Sequence, residues 1–209
     1  MKIINIIISS CIILCAAGLN VQAQEHYFWP PVLGREYPKD VKFHDQTGEL
    51  MTMAAFEGKI IFIEYVGMNC PACQAFSGAN KPEIGAFKNN AVQVGLDSIE
   101  QYFNLYAGGV KFSDERVVYV AILLYDMTLG QPKVDDARKW AEHFKLSKDR
   151  QEYVFVANTD LRSDASYNLI PGFQLLDKTL LLRSDSSGHH PKQDLYRTLL
   201  PMVAVVVEE

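Results

Sequence analysis

Basic residues are neither abundant nor clustered. Twenty Lys and Arg are set against twenty-five Asp and Glu, for a formal net charge of −5. That excludes nucleic acid and an anionic membrane surface as the main partner. Cysteine is scarce as well, with four in 209 residues. No second Cys or Cys/His pair at similar spacing accompanies Cys70 and Cys73, so a four-ligand zinc site lacks half its donors. Internal repeats, low-complexity tracts, coiled-coil segments and a cysteine-rich dimerisation segment are all missing. One substantial domain is expected, and its oligomeric state is left open. What is present is ordinary for a globular chain with a real core: 48% hydrophobic and 22% charged.

The start of the chain has its own character. Lys2 is followed by the apolar "IINIIISSCIILCAAGL", then by Val21-Gln22-Ala23 before Gln24. A positive start, an apolar run and a small-residue cleavage site make residues 1–23 an expected secretory signal, which places the mature protein outside the cytoplasm, in the periplasm. The run is short for a retained anchor. Ile8-Ser9-Ser10 before Cys11 loosely fits a lipid-attachment signal, but the apolar run continues past that cysteine. Cys11 and Cys15 leave with the signal, and only Cys70 and Cys73 stay. A bridge across two intervening residues removes little chain entropy, and a domain of this size has no need of one. A reactive dithiol in an exported compartment is the reading that remains.

Residues 24–37, aromatic and proline-rich, read as an extended lead-in to a domain over 38–209. Turn signals fall at Asp45–Gly48 and Glu57-Gly58. "IIFIEYV" (60–66), "VVYVAILLY" (117–125) and "YVFVAN" (153–158) are apolar, β-branched runs expected as buried strands. Ile99, Tyr102, Phe103 and Tyr106 fall at helical spacing, with Asp97 and Glu100 as a capping pattern and Gly108-Gly109 as a stop. Ala137, Trp140, Ala141 and Phe144 form one face of a second amphipathic helix. "FQLL" and "TLLL" flank Asp177-Lys178 like a hairpin, and a last helix is expected from near Pro191. The β-branched "VAVVVEE" at the end is ambiguous. This alternation predicts an α/β sheet sandwiched by helices, with reactive groups at the carboxyl ends of strands.

Cys70 is placed there. Pro71 suits the first turn of a helix, so Cys70 stands at the helix start and Cys73 one turn inside. Free N–H groups at that end stabilise a thiolate, which makes Cys70 the candidate nucleophile and Cys73 the candidate resolving thiol. Cys73 must lose its proton in a poorly hydrated place. Glu64, a lone acid inside "IIFIEYV", is the candidate proton acceptor, since burying it without purpose is costly.

"DQTGELMTMAAFEGKIIFIEYVGMNCPACQAF" resembles the opening of exported thioredoxin-like thiol-disulfide oxidoreductases of the TlpA/redoxin type: a D-x-x-G turn, G-K, a buried strand and C-x-x-C. Thioredoxin itself carries a buried acid six residues before its first cysteine, the place Glu64 holds. "YNLIPGFQLLDK" resembles the segment where the family places a cis-proline. The resemblance therefore implies a thioredoxin-like fold, a central mixed sheet flanked by helices, with a helical insertion at about residues 80–116 after the CxxC helix. It implies that Pro171 is the cis-proline and that the backbone of Ile170 pairs with a bound substrate chain. It also implies a Cys70–Cys73 redox-active disulfide, no bound cofactor, and two kinds of partner: cysteine-containing exported proteins and a membrane or soluble redox protein. There are departures. Gly172 stands where many members have Thr, Asp177-Lys178 lacks the glycine often found in that turn, Met68-Asn69 replaces the common aromatic before the first cysteine, and Pro71-Ala72 lacks the histidine of strongly oxidising C-P-H-C proteins.

Other chemistries fit less well. A peroxiredoxin wants Thr or Ser three residues before its cysteine, where this chain has Gly67. A copper-binding or copper-delivering protein would use the two thiolates, with His189-His190 as nitrogen ligands. Yet "DSSGHHPKQD" reads fully as a solvated loop before a helix. His26, His44 and His143 have no assigned role.

Overall fold

The structure, a computed structural model, describes residues 29–209; the expected signal segment, with Cys11 and Cys15, lies outside the described residues. Two apolar runs form its centre. β3 (Ile60–Gly67) and β4 (Val117–Tyr125) are buried at every position, as continuous hydrophobic strands must be when both sheet faces are covered. They pair in parallel, and β4 pairs in parallel with β5 (Glu152–Ala157). A short hairpin of β1 (Phe43–His44) and β2 (Leu50–Met51) extends the sheet beyond β5. On the other side of β3 lie β6 (Gly172–Leu176) and β7 (Leu182–Ser187), both antiparallel to their neighbours. The result is a seven-stranded mixed sheet of order β2-β1-β5-β4-β3-β6-β7.

Helices flank it. α1 (Pro71–Phe76) and α2 (Ile99–Tyr106) lie in the crossover from β3 to β4, and α3 (Val134–Phe144) in that from β4 to β5. α4 (Asp164–Tyr167) is a single turn before β6, and α5 (Leu200–Glu208) closes the chain. Phe62 of β3 meets Phe103 of α2 edge-on at 5.3 Å and stacks on Phe173 of β6 at 5.5 Å. Side chains alternate along a strand, so Tyr65 faces the opposite way, where Trp29 meets it edge-on at 6.0 Å. α3 buries the expected stripe of Ala137, Trp140, Ala141 and Phe144. Among the described residues, no helix is long and apolar enough to cross a membrane.

Three expectations need correction. α2 is capped by Ser98, whose hydroxyl accepts from the Gln101 amide, rather than by Asp97. The turn after β6 is wider than two residues. Asp177 Oδ1 accepts from the Thr179 and Leu181 amides, and Leu180 takes φ +67°, so the second strand begins only at Leu182. That strand then runs into the segment read as a loop: Asp185, Ser186 and Ser187 pair with Gln174, Phe173 and Gly172.

The valine-rich end is helical, because α5 buries Val203, Val206 and Val207 at 3–4 residue spacing. Packing overrides the modest helix preference of valine. Asp194 starts this helical run by accepting from the amides of Tyr196 and Arg197, a few residues past Pro191.

The departure at Gly172 has a steric cause. A Cβ there would lie 2.1 Å from the Leu169 carbonyl oxygen and 2.5 Å from Ser187 Cα, both backbone atoms. Gly172→Ala should therefore destabilise the fold by about 1–3 kcal/mol, the range for overpacking. A lowered midpoint in urea denaturation checks this, and an unchanged midpoint refutes it.

Candidate functional site

The site begins where β3 runs out. Met68 is still held to β4 by its amide, 2.9 Å from the Tyr125 carbonyl, and the Cys70 amide turns back to Gly67 O at 2.9 Å. Cys70 is then the N-cap of α1, with extended backbone (φ −78°, ψ 120°) and Pro71 in the first turn. Its Sγ accepts from the Cys73 amide at 3.2 Å, so sulfur takes the place that a serine or aspartate oxygen fills at other helix starts. Gln74 fastens the turn. Its side chain donates to Met68 O and accepts from the Phe87 amide, each at 2.8 Å.

The two thiols are free and unequal. Cys70 is half-buried and Cys73 fully buried. A hydrogen bond from the Cys73 thiol, followed by the amides of Cys73 and Ala72 working against burial, brings Cys70 down to about 7. Burial pushes Cys73 well above the ordinary thiol range, with the charges of Cys70 and Glu64 adding to it. With only six residues in α1, these direct hydrogen bonds matter more than any helix dipole.

Glu64 is buried completely, between Ala121 of β4 and Phe173 of β6 in register. The Tyr119 hydroxyl donates to its Oε2, and its Oε1 has no partner among the described residues. Burial lifts the Glu64 carboxyl to about 8; the Tyr119 bond opposes this and the neighbouring Cys70 charge adds to it.

A cavity of about 320 Å³ opens beside Cys70. It is walled by Asn69 and Pro71 from the CxxC segment, Tyr125 and Leu129 from the end of β4 and its loop, Tyr167 and Ile170 from the loop before β6, and His189. The Ile170–Pro171 peptide is cis. The Ile170 amide already donates to the Tyr167 carbonyl at 3.1 Å. Of the two Ile170 groups that the resemblance offers to a substrate chain, that leaves the carbonyl. The Gly188 amide bonds both Leu169 O and Pro171 O, at 3.1 and 3.0 Å, tying the Ile170 loop to the His189 loop. His190 is not among the wall residues, and no three His, Cys, Asp or Glu side chains among the described residues are grouped to hold a metal ion.

Of the residues singled out from sequence, Cys70 and Ile170 share the cavity, while Cys73 and Glu64 lie buried and within electrostatic reach of Cys70. Tyr119 and Gln74 were not found from sequence. A hydroxyl inside the apolar run "VVYVAILLY" was the available signal for Tyr119.

No protein-family model matches the chain, and no curated protein matches it significantly. Solved structures do. A candidate electron-transfer protein from Aquifex aeolicus VF5 superposes with TM-score 0.51 at 15% identity, covering 83% of this chain and 98% of that one. A candidate protein disulfide isomerase from Bacteroides thetaiotaomicron does so with TM-score 0.51 at 11% identity, covering 85% and 91%. Yeast Sco1 with copper bound gives TM-score 0.51 at 13% identity, covering 86% and 94%. The fold is thioredoxin-like. At these identities the likeness is one of architecture.

The Glu64 carboxyl implies a stability slope. Its folded pKa is raised above its ordinary 4.5 to about 8, so the folded state binds the proton more tightly than the unfolded chain. Stability is full below about 4.5 and falls as pH rises through 8. Glu64→Gln should remove that loss, at most about 5 kcal/mol. The check is denaturant unfolding of both proteins across this window; parallel curves would contradict it.

Proposed function

We propose that this protein is an exported thiol-disulfide oxidoreductase that cycles between a Cys70–Cys73 dithiol and disulfide. The observation that carries this reading is the asymmetry of the pair. A half-exposed sulfur lowered to about 7 caps a helix at the mouth of a cavity, with a buried, high-pKa thiol one turn behind it. A nucleophile near pKa 7 is substantially ionised at neutral pH while keeping most of its intrinsic reactivity.

In the reducing direction the Cys70 thiolate attacks one sulfur of a substrate disulfide. A Cys70–substrate mixed disulfide forms, and the other substrate sulfur leaves and takes up a proton. Cys73 gives its proton to the Glu64 carboxylate and attacks Cys70 Sγ. The Cys70–Cys73 disulfide forms, and the second substrate sulfur leaves as a thiolate and takes up a proton from water while Glu64 returns its own to water. Two electrons have moved from protein to substrate. Turnover requires a partner protein dithiol to return them, and the oxidising direction is the same sequence reversed. The cavity walls of Tyr125, Leu129, Tyr167 and Ile170 would receive the substrate chain beside its cysteine. The expected export signal makes cysteine-containing exported proteins the substrates.

A second reading, copper binding, is favoured by the two free thiols side by side and by His189 in the same cavity wall. Two thiolates are a sufficient soft donor set for Cu(I). Copper that binds one-to-one and shields both thiols from alkylation would put this reading first.

Two substitutions test the redox reading. Cys70→Ser should abolish reduction of a protein disulfide such as those of insulin, and retained activity would sink the mechanism. Cys73→Ala should accumulate mixed disulfides with its substrates, visible as thiol-sensitive adducts on non-reducing gels. Their absence would argue against the assigned roles.

A further inference from the structure

Glu64 does not act alone in this fold. Tyr119 lies on the neighbouring strand β4, and its ring is fixed by Phe112 at 5.1 Å and Phe62 at 6.4 Å. Its hydroxyl donates to Glu64 Oε2, and Oε1 has no partner among the described residues. A donor on one oxygen fixes the plane of the carboxyl group and leaves the other oxygen to exchange a proton. The same bond favours the carboxylate over the acid, opposing the effect of burial.

Tyr119 itself stays neutral. Its phenol is held well above the usual range by burial and by the Glu64 charge. The other titratable groups facing the pair are Cys70 and Cys73 from the CxxC segment and Glu152 from β5. β6 presents Phe173, and the buried residues of α2 and α5 are apolar. Tyr119 is thus the one hydrogen-bond donor to Glu64 among the described residues.

We propose that Tyr119 is a positioning residue for the resolving step: its hydroxyl orients Glu64 and keeps it ionised enough to take the Cys73 proton at neutral pH. This rests on the oxidoreductase reading above and deepens it. Its direct effect falls on Glu64, because the hydrogen bonds that lower Cys70 come from Cys73 and Ala72 rather than from Tyr119.

The reduced full-length protein, with Cys11→Ser and Cys15→Ser so that only Cys70 and Cys73 can react, can be mixed with 5,5′-dithiobis(2-nitrobenzoate). Cys70 attacks the reagent to give a mixed disulfide and one thionitrobenzoate. Cys73 then displaces the second, leaving the Cys70–Cys73 disulfide, and the two releases are followed as separate phases against pH. Tyr119→Phe keeps the ring and removes the hydroxyl. Its first phase should titrate as in the wild type, while the midpoint of its second phase moves up by about one pH unit and that phase slows about tenfold at neutral pH, the effect of losing one hydrogen bond to a charged group. Adding the change to Glu64→Gln should cause no further shift. Incorporating 3-fluorotyrosine at 119, a stronger donor of the same shape, should move the second midpoint down, which keeps the test alive if the Phe variant folds poorly. An unmoved second midpoint, or equal shifts in both phases, would overturn the role of Tyr119 and leave the oxidoreductase reading standing. No thionitrobenzoate release at all from the wild-type dithiol would take down both.

Discussion

Glu64 loses its water on both sides, because β4 and β6 flank β3 along its length and the strand is buried from end to end. Stripping a carboxyl group of solvent raises its pKa, and the single hydroxyl of Tyr119 only partly offsets that. The proposed resolving step depends on this dry acid. Its charge is part of what keeps Cys73 protonated, while Cys70, nearer the surface, is brought low by hydrogen bonds from Cys73 and from backbone amides. The environment splits two thiols three residues apart into one that ionises readily and one that holds its proton.

The cavity wall is assembled from four separated parts of the chain, and the fold ties them together. The loop before β6 is pinned by Gly188, whose amide bonds two of its carbonyls, and Gly172 lets that loop approach Ser187 more closely than any side chain would permit. The loop after β4 that carries Leu129 is closed by Asp126, which accepts from the amides of Thr128 and Gly130, and Arg162 reaches across to the Leu129 carbonyl. A backbone amide, a carboxylate and a guanidinium hold these pieces in place. Together they place aromatic and aliphatic side chains around Cys70, a surface that can hold an apolar stretch of chain next to a disulfide.

Much of this was legible beforehand because it is encoded locally. β3 and β4 are apolar at nearly every position and β-branched at about half, α3 carries its buried stripe at helical spacing, and the C-P-A-C segment with an acid six residues earlier resembles a known redox arrangement. The misreadings also have physical causes. "TLLL" looks like a strand, but Asp177 gathers the amides that would have joined the ladder into a turn. "VAVVVEE" is ambiguous by its β-branched content, and a spacing that buries three valines makes it a helix.

The sequence by itself determined the α/β class, the dithiol at the end of a buried strand and the acid behind it, since these follow from periodicity and spacing within short windows. Tertiary structure decided which group meets that acid, which histidine of the pair reaches the cavity, and which Ile170 backbone group stays open. Tyr119 and Glu64 are 55 residues apart in the chain. They meet through the parallel register of β3 with β4, and such long-range pairing is set when the sheet closes rather than by any local pattern.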